Sequence, residues 1–161
     1  MTCDVGSDHL IDVSLRNAIN AGSIVGPRML VSTFALGSTS GHVDLSGFNP
    51  NIEFKGNKDF TGVADGVDEI RKRVRNNIKW GADRIKFMAP GGVMSEEETP
   101  GLTQYSFEEM KAICDEAHLW GRKVCAHAYG TEAIKLAVKA GVFSIEYGSL
   151  IDCRGYTNDE R

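Results

Sequence analysis

One unit recurs along this chain: an amphipathic helix, a glycine, two or three residues, and a short apolar strand. The glycines are Gly22, Gly81, Gly121 and Gly141, each placed where a helix end needs a residue that tolerates left-handed backbone. Apolar spacing marks the helices, as in Val67, Ile70, Val74 and Ile78, or in Phe107, Met110, Ile113, Cys114 and Ala117. Ser106 followed by Glu109 forms a capping-box pattern ahead of the second of these. The strands fall near Thr2–Val5, Arg28–Ala35, Arg84–Met88, Lys123–Ala126 and Phe143–Glu146. Strands that alternate with helices imply βα units and a parallel sheet, because parallel neighbours need a crossover.

Two parallel architectures compete, the doubly wound sheet and the (β/α) barrel. Asp4, Lys86, His127, Glu146 and Tyr147 all fall at or near strand C-termini, so ionisable groups from several strands converge on one face, as in a barrel. A dinucleotide fold would carry G-x-G-x-x-G after the first strand, and Asp4-Val5-Gly6-Ser7-Asp8 does not. The expected fold class is therefore α/β, a partial (β/α)8 TIM-type barrel in one domain over residues 1–161. A closed barrel takes about 250 residues and eight strands, so this sequence reads as a segment of one. Its open strand edges favour self-association into a homo-oligomer.

Composition narrows the function classes. With 161 residues, 42% hydrophobic and 25% charged, the chain can bury a core, and its net charge is −4. The basic cluster Arg71-Lys72-Arg73 with Arg75 sits beside Asp68 and Glu69 on a helix and reads as a solvated face, which does not suggest nucleic acid. Cys3, Cys114, Cys125 and Cys153 have no C-x-x-C spacing and read as reduced thiols of a cytoplasmic protein. No stretch reaches the roughly 18 apolar residues of a membrane span, and the N-terminus has no signal-peptide pattern.

Within this frame Lys86 stands out, a cation set among Ile85, Phe87 and Met88. A buried ammonium is costly, so such a lysine reaches solvent, meets a carboxylate, or loses its proton. His127 ends the strand of the next βα unit, where the two side chains can share the mouth of a barrel. A strand-end histidine serves either as a hydrogen-bonded structural residue or as a metal ligand. Tyr129 either points back toward the site or packs on the following helix. Gly91-Gly92 offers a phosphate cradle or a plain loop, and Glu96, Glu97 and Glu98 downstream favour the loop. His9 and His118 are expected on helices as surface or packing residues, and Asp4 near the site in a supporting role.

The runs GPRMLVSTFALGSTSGHVDL, GADRIKFMAPGGVMS and YSFEEMKAICDEAHLWGRKVCAHAYGTEAIKLAVKAGVFSIEYGSLID, in that order, resemble the metal-dependent amidohydrolase superfamily. Within it they are most similar to the branch of Xaa-Pro dipeptidases and related N-acyl amino acid hydrolases. The similarity covers nearly the whole chain, from what resembles the second barrel strand to the sixth.

The resemblance implies a role for each site residue. Lys86 matches the lysine that carbon dioxide converts to a carbamate bridging two divalent metals, usually zinc. His127 matches the metal-binding histidine after the fifth strand. Tyr147 stands where the sixth strand ends in a second ligand histidine, and a phenol binds metal well only after losing a proton with a pKa of about 10. His42 resembles a histidine at the mouth of the active site, and with Tyr129 it is the candidate for contact with a substrate. A metal-activated hydroxide would then cleave the amide of a small-molecule substrate, a dipeptide or an N-acyl amino acid. The H-x-H pair of the first strand and the proton-shuttling aspartate of the eighth have no counterpart in these residues, so weak activity is expected of this chain. An imidazolonepropionase-type ring opening fits less well, because those relatives lack the carbamate lysine. The alternative is a truncated or decayed scaffold without catalysis that self-associates.

Overall fold

The computed structural model describes residues 1–44, 61–90 and 102–151. Gly91-Gly92, the run Glu96 to Glu98 and Cys153 lie outside them. In chain order the elements are β1 (Thr2–Cys3), α1 (Ile11–Asn20), β2 (Met29–Leu30), α2 (Gly66–Lys79), β3 (Arg84–Met88), α3 (Phe107–Leu119), β4 (Lys123–Gly130), α4 (Thr131–Ala140) and β5 (Ser144–Leu150). All strand pairs are parallel: β1 beside β2, and β3 beside β4 beside β5. An isolated bridge from Leu36 to Phe87 carries the chain after β2 alongside β3. This is the α/β, helix-and-parallel-strand order that the sequence predicts.

Strand alternation divides the residues into two faces. Ile85, Phe87, Val124, Ala126 and Ala128 point outward into a core with Ile70 and Val74 of α2, Met110, Ile113 and Ala117 of α3, and Ala133 and Ala137 of α4. The core thus lies between sheet and helices, as in the outer layer of a barrel. Arg84, Lys86, Cys125 and His127 take the other face. The ends of the helices follow the sequence as well. Gly22, Gly81, Gly121 and Gly141 all have positive φ, and the Ser106 hydroxyl accepts from the Glu109 N–H while the Glu109 carboxylate accepts from the Ser106 N–H.

Four expectations are corrected. The second strand is regular only at Met29–Leu30, not over Arg28–Ala35. Beyond it side chains replace the ladder: Asp83 accepts from the Val31 N–H at 3.1 Å, and the buried Asp12 carboxylate accepts from the Thr33 N–H at 2.8 Å. Thr33 itself sits at φ +58°. β4 and β5 run on to Gly130 and Leu150, past the expected ends at Ala126 and Glu146. Arg73 is buried, so the basic cluster of α2 is not wholly a solvated face. His9 lies in the turn ahead of α1 at φ +54°, not on a helix.

α2 and α3 are tied by an ion pair. Glu116, 3% exposed, accepts from Arg75 Nε at 2.8 Å and Nη2 at 3.0 Å, and from Trp120 Nε1 at 3.1 Å. The Arg75 hydrogen bonds hold the Glu116 carboxyl below its ordinary range despite burial.

Candidate functional site

Lys86 sits in the middle of β3, opposite Cys125 of β4, on the face away from the helices. It is 2% exposed. Its nearest influences are burial, which lowers its pKa most, the Cys125 and Glu146 charges that raise it, and the Arg84 charge that lowers it again. A lysine left in this state is biased toward the neutral amine.

His127 lies two residues further along β4 from Cys125, in register with Met88 and Glu146, so it shares the face of Lys86 nearer the strand C-termini. Its Nε2 atom is buried and has no hydrogen-bond partner among the described residues. Burial, with the Lys86 and His42 charges adding to it, lowers its pKa from 6.5 to about 4. The imidazole is therefore neutral across physiological pH, the form in which a ring nitrogen offers a lone pair to a metal.

Three more rings surround it. His42 stacks on it, with ring centroids 5.5 Å apart and planes at 16°. Tyr129 meets it edge-on at 5.0 Å, and Tyr147 edge-on at 4.7 Å. Tyr147 pairs in register with Ala128, which alone would turn it toward the helices. Its left-handed φ of +83°, followed by Gly148 at +58°, breaks the alternation and brings the ring to His127. A bulky residue in that backbone region is uncommon, and such outliers gather at functional sites.

The candidate site residues all fall among the described residues. His127, His42, Tyr129 and Tyr147 come together toward the C-terminal ends of the strands, and Lys86, expected near a strand end, lies in the middle of β3 on the same face. Asp4 does not join them; its Oδ1 accepts from the Gly6 N–H in a local turn. His118 is exposed on α3. Cys3, Cys114 and Cys125 are free thiols. Two contributors were missed. Cys125 faces the site beside Lys86, which strand alternation between Lys123 and His127 would have indicated. Gln104 accepts from the His42 N–H at 3.1 Å, fixing the loop that presents His42. No local pattern signals that contact, because the partners lie far apart in sequence.

The donor set fits a divalent metal in part. The buried His127 Nε2, with no partner among the described residues, is unsatisfied in the way a ligand would satisfy, and Lys86 is buried on the same face. Among the described residues no group of three or more His, Cys, Asp or Glu could hold a metal ion.

An NMR titration of the His127 ring checks this electrostatic picture. The expected midpoint is near pH 4; one near 6.5 would contradict it. Because the folded pKa lies below the unfolded one, His127 contributes stability that is fully present above about pH 6.5 and is lost as pH falls through about 4.

Comparison with known proteins decides the family. A model described as the amidohydrolase family matches residues 1–157. The chain belongs to the amidohydrolase family. Its sequence is 42% identical over 147 residues to an ochratoxinase of Aspergillus niger, covering 84% of this chain and 30% of that protein. A crystal structure of a Xaa-Pro dipeptidase with methionine bound in the active site superposes with a TM-score of 0.87 at 36% identity, covering 95% of this chain and 38% of that one. A prolidase complexed with N-methylphosphonate-L-proline gives 0.80 at 39% identity, again covering 95% of this chain and 38% of that one.

This amidohydrolase chain therefore spans about a third of the length of those relatives. The family is generally metal-dependent, and the partial (β/α) barrel read from the sequence agrees with the TIM barrels of its structural neighbours. No helix among the described residues is long and apolar enough to cross a membrane.

Proposed function

We propose that this chain forms part of a metal-dependent hydrolase that cleaves an amide bond in a dipeptide or an N-acyl amino acid. The observation that carries the reading is His127, whose buried Nε2 has no partner among the described residues, beside a buried Lys86. Similarity to a Xaa-Pro dipeptidase and to an ochratoxinase supports the choice of an amide substrate.

Lys86 and His127 would hold the metal, most simply zinc. When bound, the metal supplies Lewis acidity and a nucleophile active at neutral pH. The chain's own residues prepare that site. Burial biases Lys86 toward the neutral amine, and the neutral amine is the form that adds to carbon dioxide: a C–N bond forms, one proton leaves, and the carbamate anion offers oxygen donors. The cationic alternative would offer none. His127 stays neutral for the same reason and presents Nε2. The Tyr147 ring covers one edge of His127 and takes a metal position only as a phenolate. His42 and Tyr129 border the same space and are placed to touch a substrate.

A second reading rests on Tyr147 itself. A phenol in a ligand position weakens the site, and a scaffold without catalysis that keeps the βα units accounts for it. Release of free amino acid from a panel of Xaa-Pro dipeptides and N-acyl amino acids, with zinc and bicarbonate present, separates the two. The hydrolase reading expects slow turnover that chelation removes and Lys86→Ala abolishes. Turnover that survives Lys86→Ala overturns it. No turnover from the native chain or from Tyr147→His favours the scaffold.

A further inference from the structure

A cleft of about 480 Å³ opens at the other end of the sheet, lined by residues that include Arg16, Asn17, Arg28, Asp83 and Arg122. Arg28 precedes β2, Asp83 precedes β3 and Arg122 precedes β4. Because the strands are parallel, these positions lie at the strand N-termini, whereas His127 and its ring neighbours lie at the C-termini. The cleft is therefore separate from the metal site.

Its charges are unevenly matched. Asp83 is occupied: Oδ2 accepts from Arg16 Nη1 at 2.7 Å and from the Val31 N–H at 3.1 Å. Arg16 is occupied too, donating also to the Gly81 carbonyl at 2.7 Å and to Asn17 Oδ1 from Nε and Nη2. Those last bonds use the Asn17 amide oxygen and leave its NH2 group as a donor. Arg28 is exposed at the cleft, and the Nε of the half-buried Arg122 is buried without a hydrogen-bond partner among the described residues. The last-turn carbonyls of α1, which would oppose an anion, are themselves engaged by the N–H groups of Ala21, Gly22 and Ser23.

We propose that this cleft binds a small polyvalent oxyanion of the phosphate class, held by Arg28 and Arg122 with Asn17 as an additional donor. Two guanidinium forks arriving from different loops suit a tetrahedral anion, whose oxygens point in several directions, better than a planar carboxylate. A volume of this size lies within the range of small-molecule sites, about 300–1,000 Å³. The site would take either free phosphate or a phosphorylated metabolite.

Calorimetric titration of the full 161-residue chain with inorganic phosphate tests the proposal, with malonate as the planar comparator. The expected result is one-to-one phosphate binding, tighter than malonate, weakened about tenfold or more by Arg28→Ala and by Arg122→Ala. Arg28→Lys should lose part of the affinity, since lysine keeps the charge without the fork. Melting temperatures of the variants confirm that they fold. Lys86→Ala should leave binding unchanged. No phosphate binding, binding indifferent to both arginine variants, or binding lost in Lys86→Ala would each overturn the proposal, the last by placing the anion at the metal site. The outcome does not depend on whether the chain hydrolyses amides.

Discussion

Lys86→Met is expected to raise the stability of the metal-free chain. The wild-type side chain is 2% exposed and burial lowers its pKa, so its ammonium is desolvated at a cost of about 1–3 kcal/mol. Methionine has a similar length, no polar hydrogen to satisfy, and the flexibility to follow the same path between Cys125 and the inner face. The gain should depend on pH. The folded pKa of Lys86 lies below 10.5, so between those two values the unfolded chain binds more protons and wild-type stability rises with pH. The advantage of the methionine variant is therefore largest below the folded pKa of Lys86 and shrinks as pH approaches 10.5. Urea unfolding at several pH values measures both effects. A variant less stable than wild type throughout would mean that the amine is satisfied after all. A residue whose removal stabilises the fold is one that function retains at a cost.

Among the described glycines, Gly62→Ala should produce the largest loss of stability. A Cβ at Gly62 would lie 1.7 Å from the Ala35 carbonyl oxygen and 2.8 Å from its carbon, both backbone atoms that no rotamer change can move aside. The contact sits where the chain after β2 is stitched in: the Gly37 N–H donates to the Gly62 carbonyl at 3.1 Å, the Ala64 N–H to the Gly37 carbonyl at 3.0 Å, and the Leu36 N–H to the Lys86 carbonyl at 2.8 Å. Relieving the clash breaks part of that ladder. The expected cost is about 3 kcal/mol or more, in the range reserved for strain in a packed interior. A change within about 0.5 kcal/mol, the size typical of surface substitutions, would show that the crossing is not tight.

The parts of the fold that could be read from sequence are those fixed by local rules. α3 follows from its apolar spacing and the Ser106–Glu109 box, and β3 from a short apolar run that follows the helix end at Gly81. The second strand was over-extended because Asp12 and Asp83, distant in sequence, supply the hydrogen bonds that a ladder would otherwise make. β4 and β5 were cut short because His127, Tyr129 and Glu146 look like loop residues until one sees that the inner face of the strands is polar. Arg73 looked solvated because neighbouring charges mask which side of α2 it occupies. The site was legible in that Lys86 and His127 belong to successive βα units; that they share a face follows from the register of β3 with β4, which pairs Lys86 with Cys125. The position of the Tyr147 ring was not, because it depends on one left-handed backbone angle, and Gln104 was not, because its contact with His42 closes a long loop.

Zinc content per chain, after purification with zinc and bicarbonate, tests the central claim most directly. The native chain is expected to retain zinc, Lys86→Ala to lose it, and Tyr147→His to retain more than the native chain, because imidazole, a better zinc ligand than a phenol, then stands beside His127. Zinc that is absent from both the native chain and Tyr147→His, or that persists undiminished in Lys86→Ala, would contradict a metal site built on Lys86 and His127.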